Sequence, residues 1–151
     1  GFARRRWGQY SILMENGAPR LVSTDTMVHE MTHIWQYLNW DDSQIISIFG
    51  MKCADCTAIA RDMVYEGMAM WAAIQYLYQI GETYFAAQQE ALAEQRPDVY
   101  GIGFKLYREQ YPLIKDSALI KYSPFNSYPP LEPEKVREAV KRQCQKVECQ
   151  C

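Results

Sequence analysis

Two histidines and a glutamate lie within about one helical turn of each other in the segment MVHEMTHIWQ. His29 and His33 are the only histidines of the chain, and Glu30 directly follows the first of them. On a helix, residues four apart project from the same face, so both imidazoles could bind one metal ion. Zinc suits imidazole nitrogen at this spacing, and the neighbouring glutamate could take a proton from a zinc-bound water. The spacing therefore predicts a catalytic zinc site with His29 and His33 as ligands and Glu30 as general base.

A catalytic zinc site needs a third protein ligand, and with no further histidine this ligand must be a carboxylate. Glu66 is the favoured residue, because it lies on an apolar face of a predicted helix, where an acid must be paired, protonated or metal-bound. Asp62, one turn earlier, is the alternative ligand, or else an acceptor for an imidazole N–H. Gly67 lowers the helix propensity of this segment, a cost that close packing of a neighbouring helix can offset. The Glu66-Gly67 pair therefore predicts that this helix packs closely against the histidine helix.

A hydrogen-bond donor is the remaining requirement of a site that hydrolyses amides. The reaction builds negative charge on the carbonyl oxygen, and a preorganised O–H or N–H group stabilises that charge. The sequence leaves the choice of donor open. The candidates are Tyr65, Tyr100, Tyr107, Arg108, Tyr111 and Tyr122.

The elements that position these residues are mostly helices. Apolar residues at helical spacing predict helices at 26–39 and 56–79, with about one helical turn in the connection between them. Residues 10–14 and 20–22, joined by the Asn16-Gly17 turn, are the only predicted strands. The fold class is therefore mostly α with a small N-terminal β element. Later helices are predicted at 82–95, 98–111 and 133–145, the last after a Pro-rich loop at 122–130.

Composition limits the partners and the organisation of the chain. A length of 151 residues predicts one domain, 1–151, and the chain begins at Gly1 without an initiator Met, so a fragment or processed form is one alternative. The net charge of -2 predicts no nucleic-acid partner. No apolar stretch approaches the roughly 20 residues of a membrane span. Compartment and oligomeric state stay open.

The chain has five cysteines, an odd number, so they cannot all be paired in disulfides within a single chain. The CADC segment and the C-terminal cluster together could supply four thiolates to a structural zinc, in addition to the catalytic zinc. Free or partly paired thiols, a structural zinc and disulfides are therefore three open alternatives. The residues concerned are Cys53, Cys56, Cys144, Cys149 and Cys151.

The order of three motifs resembles a known class of enzymes. The HExxH motif with Trp35, the Glu66-Gly67 pair and the YGIGF segment at 100–104 follow one another as in the glutamate-type zinc metallopeptidases, the gluzincins. More narrowly, the chain is similar to the peptidase domain of the DA1 family and its bacterial relatives, over roughly residues 10–111. This resemblance implies an α+β zincin-like fold, in which the HExxH helix packs against a glutamate-bearing helix.

Carried over residue by residue, the resemblance implies His29, His33 and Glu66 as zinc ligands and Glu30 as general base. The leading interpretation is a zinc-dependent metallopeptidase that acts on a peptide or protein substrate. A zincin-like domain that binds protein partners with reduced catalysis is the alternative. A helical structural module whose only metal is held by the cysteines is a third and weaker interpretation.

Overall fold

The computed structural model of the protein describes residues 1–116 and 122–144. This part of the chain is mostly helical with a two-stranded antiparallel sheet at its N-terminal end, which confirms the predicted fold class. No helix in it is long and apolar enough to cross a membrane. The helices are α1 (Arg20–Asn39), α2 (Asp42–Phe49), α3 (Ala54–Gln79), α4 (Thr83–Gln95), α5 (Val99–Gln110) and α6 (Pro133–Cys144).

The sheet is a hairpin of β1 (Phe2–Arg6) and β2 (Gln9–Leu13). Its two-residue turn places both Trp7 and Gly8 at positive φ, 53° and 77°, as a type I′ turn requires. The predicted second strand at 20–22 was wrong, because those residues form the first turn of α1. The sequence signal for β1 is weak, since its three consecutive arginines hide the alternation of a strand.

Helix α1 begins six residues earlier than predicted. The N-cap position is Pro19, and no side chain caps the helix. Thr24 lies within the helix, where its Oγ1 donates to the carbonyl oxygen of Arg20 at 2.9 Å. The predicted end of the last helix at Gln145 falls outside the described residues.

Helix α3 is the centre of the core. Fifteen of its 26 residues are buried, and all five other helices contact it. The predicted packing of the histidine helix against the glutamate-bearing helix is confirmed, since α1 lies along α3. The connection at 40–52 was predicted to hold about one helical turn, but it contains the eight-residue helix α2. Asp41 caps α2 by accepting a hydrogen bond from the Ser43 amide at 2.9 Å.

Helices α3 and α5 meet backbone to backbone at Gly67 and Gly103. A Cβ placed on Gly67 would lie 2.4 Å from the carbonyl carbon and 2.6 Å from the Cα of Gly103. The prediction that Gly67 presses its helix against the histidine helix was therefore wrong about the partner, because α5 occupies that position. The YGIGF segment supplies the second glycine of this contact.

We expect Gly67→Ala to lower the free energy of unfolding by about 1–3 kcal/mol, because the added methyl group overpacks a contact between two backbones. Helix propensity alone would change stability in the opposite direction, by roughly 1 kcal/mol. Urea unfolding followed by circular dichroism measures the difference. Ala58→Ser, an exposed position on the same helix, is the control and should stay within about 0.5 kcal/mol. Unchanged or increased stability of Gly67→Ala would contradict the proposed role of this contact.

Candidate metal centre

Three potential ligand atoms converge between α1 and α3. His29 Nε2 lies 3.1 Å from His33 Nε2 and 3.1 Å from Glu66 Oε2, and the distance from His33 Nε2 to Glu66 Oε2 is 3.2 Å. The three residues form the one group within residues 1–116 and 122–144 that has the donor types and spacing to hold a metal ion. The structure thus brings together the two histidines and the glutamate that the sequence predicts as ligands.

The size of this triangle fits zinc. Ligands of a tetrahedral zinc ion, bound at about 2.0–2.1 Å, lie roughly 3.3 Å apart, close to the separations between these three atoms. Lone pairs that face each other at such distances repel, and a proton or a cation between them removes the repulsion. The group could therefore hold a cation, and its three protein ligands are one fewer than the four of a closed tetrahedral zinc site.

Gln36 fixes the orientation of one of the two imidazoles. The side chain of Gln36 is fully buried, and its Oε1 accepts a hydrogen bond from His33 Nδ1 at 2.8 Å. Its Nε2 donates to the carbonyl oxygen of Tyr65 at 2.9 Å, which sets the orientation of the amide. In the neutral ring Nδ1 therefore carries the proton and Nε2 keeps its lone pair for a metal.

Asp62 is not engaged with the histidines. Its side chain is 52% exposed and contacts the guanidinium of Arg61 at 3.5 Å. Asp62 was the predicted acceptor of an imidazole N–H, but for His33 this acceptor is Gln36. Sequence reasoning missed Gln36 because a glutamine three residues after a histidine is a common arrangement on helices. Only the tertiary structure shows that both ends of the amide are bonded and buried.

The three residues shift the pKa values of one another. Burial by itself would raise the pKa of the Glu66 carboxyl, but hydrogen bonds from His29 and His33 and their positive charge lower it to about 2. Burial would lower the pKa of His33, but its hydrogen bond to Glu66 and the negative charge there raise it, with contributions from Gln36 and Glu30. Glu66 is therefore ionised at neutral pH and can act as a charged ligand.

Glu30 lies on α1, and the residue as a whole is only 7% exposed. In the part of the chain that the structure describes, it forms neither a hydrogen bond nor an ion pair. Its negative charge contributes to the raised pKa values of His33 and Tyr37. None of the described side-chain oxygens is both buried and without a hydrogen-bond partner, so the Glu30 carboxylate is open to solvent and free to contact a water.

Most of the candidate oxyanion donors are engaged away from the site. Tyr122 is 83% exposed. Four other candidates already have partners. The hydroxyl of Tyr65 donates to Asp42, that of Tyr107 to Val64 O and that of Tyr111 to Pro130 O. Arg108 pairs with Glu90 and Glu94. These hydroxyls and this guanidinium stabilise the fold.

Tyr100 remains close to the three converging residues. Its ring stacks on that of His29 with centroids 6.3 Å apart. Burial raises the pKa of Tyr100, and the charge of Glu66 raises it further, so the hydroxyl keeps its proton and can donate. Tyr37, which the sequence did not single out, stacks on His33 in the same way at 6.3 Å. Two tyrosines thus flank the histidine pair.

Four cavities in the described part of the chain are lined in part by α1, and the smallest of these four reaches His29. A larger cavity of about 720 Å³ between α1 and α3 is mostly apolar, includes Phe125 of the Pro-rich loop, and is lined by none of the predicted site residues. The smaller one, of about 180 Å³, is bordered by His29. Its other lining residues are Asp25, Met70, Ala73, Ile74, Gln89, Arg96 and Tyr100. Size alone would therefore have pointed to the wrong place.

The described cysteines do not belong to the group formed by His29, His33 and Glu66. The Sγ atoms of Cys56 and Cys144 lie 2.7 Å apart, and both residues are buried where α3 meets α6. Cys53 is partly buried. Cys149 and Cys151 lie outside the described residues, so the structural zinc on the cysteines stays a prediction.

Comparison of the chain with protein-family models, with curated proteins and with solved structures finds no match. The resemblance to the gluzincins therefore stays a prediction. Its support consists of the order of the motifs in the sequence and the group formed by His29, His33 and Glu66. Such a group can form in unrelated folds, and it does not by itself define a family.

The hydrogen bond from His33 to Gln36 can be tested without metal. In protein treated with a chelator, we expect Gln36→Met to lower the pKa of His33, because the amide oxygen stabilises the charged imidazole. NMR titration resolves both histidines of the chain, and the pKa of His29 should change less. Asn39→Leu is the control, since Asn39 is an exposed amide on the same helix that donates to Trp35 O. An unchanged His33 pKa in Gln36→Met would contradict this assignment.

Proposed function

We propose that the protein is a zinc-dependent metallopeptidase that hydrolyses peptide bonds through a metal-activated water. His29, His33 and Glu66 are the metal ligands, and Glu30 is the general base. The observation that carries the proposal is the convergence of three ligand atoms at separations of 3.1–3.2 Å. Two of these atoms come from α1, and the third comes from Glu66 of α3, which follows the histidines by 33 and 37 residues in the sequence. The HExxH spacing alone has false positives, whereas this third ligand comes from a separate helix.

The number and type of ligands favour a catalytic zinc over a structural one. Structural zinc sites use four protein ligands, while three protein ligands leave a position for water or substrate. The side chains of His29 and Glu66 are 18% and 23% exposed, so a small molecule can reach the ligand atoms. Bound zinc would polarise the substrate carbonyl and acidify the water.

Glu30 is the residue that moves the proton. It follows His29 on the helix, and its carboxylate is not committed to any hydrogen bond in the described residues. We assign it the task of accepting a proton from the attacking water and passing it to the leaving amine. A domain that only binds partners has no need of a glutamate at this position of the HExxH motif, which favours hydrolysis over the alternative of a binding module.

Tyr100 is the donor that we assign to the oxyanion. Its ring lies against His29, and its hydroxyl forms no hydrogen bond with the described residues. The raised pKa keeps the hydroxyl protonated near pH 7, as a donor must be. A hydroxyl that is held in place without a competing acceptor is available to the charge that develops on the substrate carbonyl.

Metal content tests the ligand set. We expect one zinc per chain at the His29, His33 and Glu66 site, and Glu66→Ala to lose it or bind it much more weakly, because two imidazoles alone make an incomplete site. Asp62→Asn, one turn earlier on α3, is the matched control and should keep its zinc. Elemental analysis of protein purified without chelators provides the numbers. Zinc retained in Glu66→Ala but lost in Asp62→Asn would make Asp62 the ligand.

Hydrolysis tests the role of Glu30. We expect wild-type protein to cleave internally quenched peptides, and Glu30→Gln to lose at least about 100-fold in kcat while it keeps its zinc. The amide has nearly the shape of the carboxylate but cannot accept the proton. Cleavage by Glu30→Gln at the wild-type rate would contradict the assignment. No cleavage by wild type, with partner binding unaffected by Glu30→Gln, would support the binding module instead.

A further inference from the structure

The cavity of about 180 Å³ beside His29 is also lined by an acid, Asp25. Asp25 lies one helical turn before His29 on α1. It is partly buried, and it has no hydrogen bond and no ion pair with residues 1–116 or 122–144. His29 makes its hydrogen bonds through Nε2, on the side of Glu66, and none to Asp25. Burial raises the pKa of the Asp25 carboxyl, and the charge of His29 opposes this shift.

The second ionised group at this cavity is Arg96, and its charge is already matched. Its Nη2 lies 2.7 Å from Asp98 Oδ2, and its Nε lies 3.1 and 3.2 Å from the two oxygens of the same carboxylate. The guanidinium also stacks over Tyr100, 4.5 Å from the ring centroid. Arg96 is therefore already paired with Asp98, and Asp25 is the acid in the cavity lining that has no ion-pair partner among the described residues.

The remainder of the cavity suits the stem of a long aliphatic side chain. Met70, Ala73 and Ile74 of α3 form one apolar wall of the cavity, and polar atoms make up the larger share of its remaining lining. Its volume is below the roughly 300–1,000 Å³ of pockets that take a whole small-molecule ligand, so it fits one side chain. Lysine and arginine combine an apolar stem with a cationic end, which matches an apolar wall and a single acid.

We infer that this cavity is a substrate subsite for a lysine or arginine side chain next to the scissile bond, with Asp25 as the specificity-determining residue. The inference rests on the proposed function, because it uses the position of His29 as a metal ligand to place the subsite beside the reacting bond. The apolar atoms of α3 hold the stem of the substrate side chain. The carboxylate of Asp25 accepts hydrogen bonds from its cationic end.

Binding measurements test this inference separately from hydrolysis. The probes are short alanine-rich peptides, blocked at both ends, that carry either lysine or norleucine at one position that varies through the set. Norleucine has the stem of lysine without the ammonium group. Zinc-loaded Glu30→Gln protein binds the peptides without cleaving them, and calorimetry gives the affinities. A parallel series without zinc shows whether the preference depends on metal.

At one peptide position we expect the lysine peptide to bind about tenfold more tightly than the norleucine peptide. Asp25→Asn in the Glu30→Gln background should reduce this ratio to about one. Asp55→Asn, an exposed acid about 16 Å along α3 from Glu66, is the matched control and should keep the ratio. Equal affinities for both peptides, or an undiminished lysine preference in Asp25→Asn, would overturn the inference.

Two further outcomes assign the acid a different role and would also overturn it. If a norleucine peptide with a free N-terminus binds more tightly than the blocked norleucine peptide, and only when Asp25 is present, the cavity is a site for the α-amine. A loss of zinc affinity in Asp25→Asn without a change in peptide preference would make Asp25 a support of His29. A lysine preference in a protein that cleaves no peptide would uphold the subsite and contradict the proposed function, whereas cleavage without any preference would do the reverse.

Discussion

One turn of α3, residues 63–67, is held by helices on two sides, and the candidate site depends on this constraint. On the side of α5, the backbone of Gly103 lies directly against Gly67. The hydroxyl of Tyr107 donates to the carbonyl oxygen of Val64 at 2.9 Å. Both groups are buried, so the position of this turn is fixed relative to α5. A displacement here would move the glutamate of the site with it.

On the side of α1, the same turn is bound through Gln36. The amide of Gln36 connects the carbonyl oxygen of Tyr65 to the imidazole of His33, so one side chain joins the α3 backbone to a proposed metal ligand. Glu66 follows Tyr65 directly, and its carboxylate faces both histidines. The arrangement explains how three groups that attract the same proton or cation are kept at 3.1–3.2 Å. The packing of three helices holds them, and charge alone would not.

The parts of this account that the sequence could predict are those with a local geometric cause. Helical spacing places His29 and His33 side by side, and an acid on an apolar face pointed to Glu66. The second predicted strand was wrong because a helix that starts without a side-chain cap leaves little local signal. The roles assigned to Gln36 and Asp25 could not be predicted from the sequence, because they depend on tertiary contacts. Gln36 has hydrogen-bond partners on two helices, whereas Asp25 has no hydrogen bond or ion pair with the described residues.

X-ray absorption at the zinc edge on the zinc-loaded protein tests the central claim most directly, because it reports the atoms around the metal. The account predicts nitrogen and oxygen ligands at about 2.0–2.1 Å, with the outer-shell scattering of two imidazoles. Sulfur scattering at about 2.3 Å as the main contribution would place the zinc on the cysteines. That result would contradict a metal site formed by His29, His33 and Glu66.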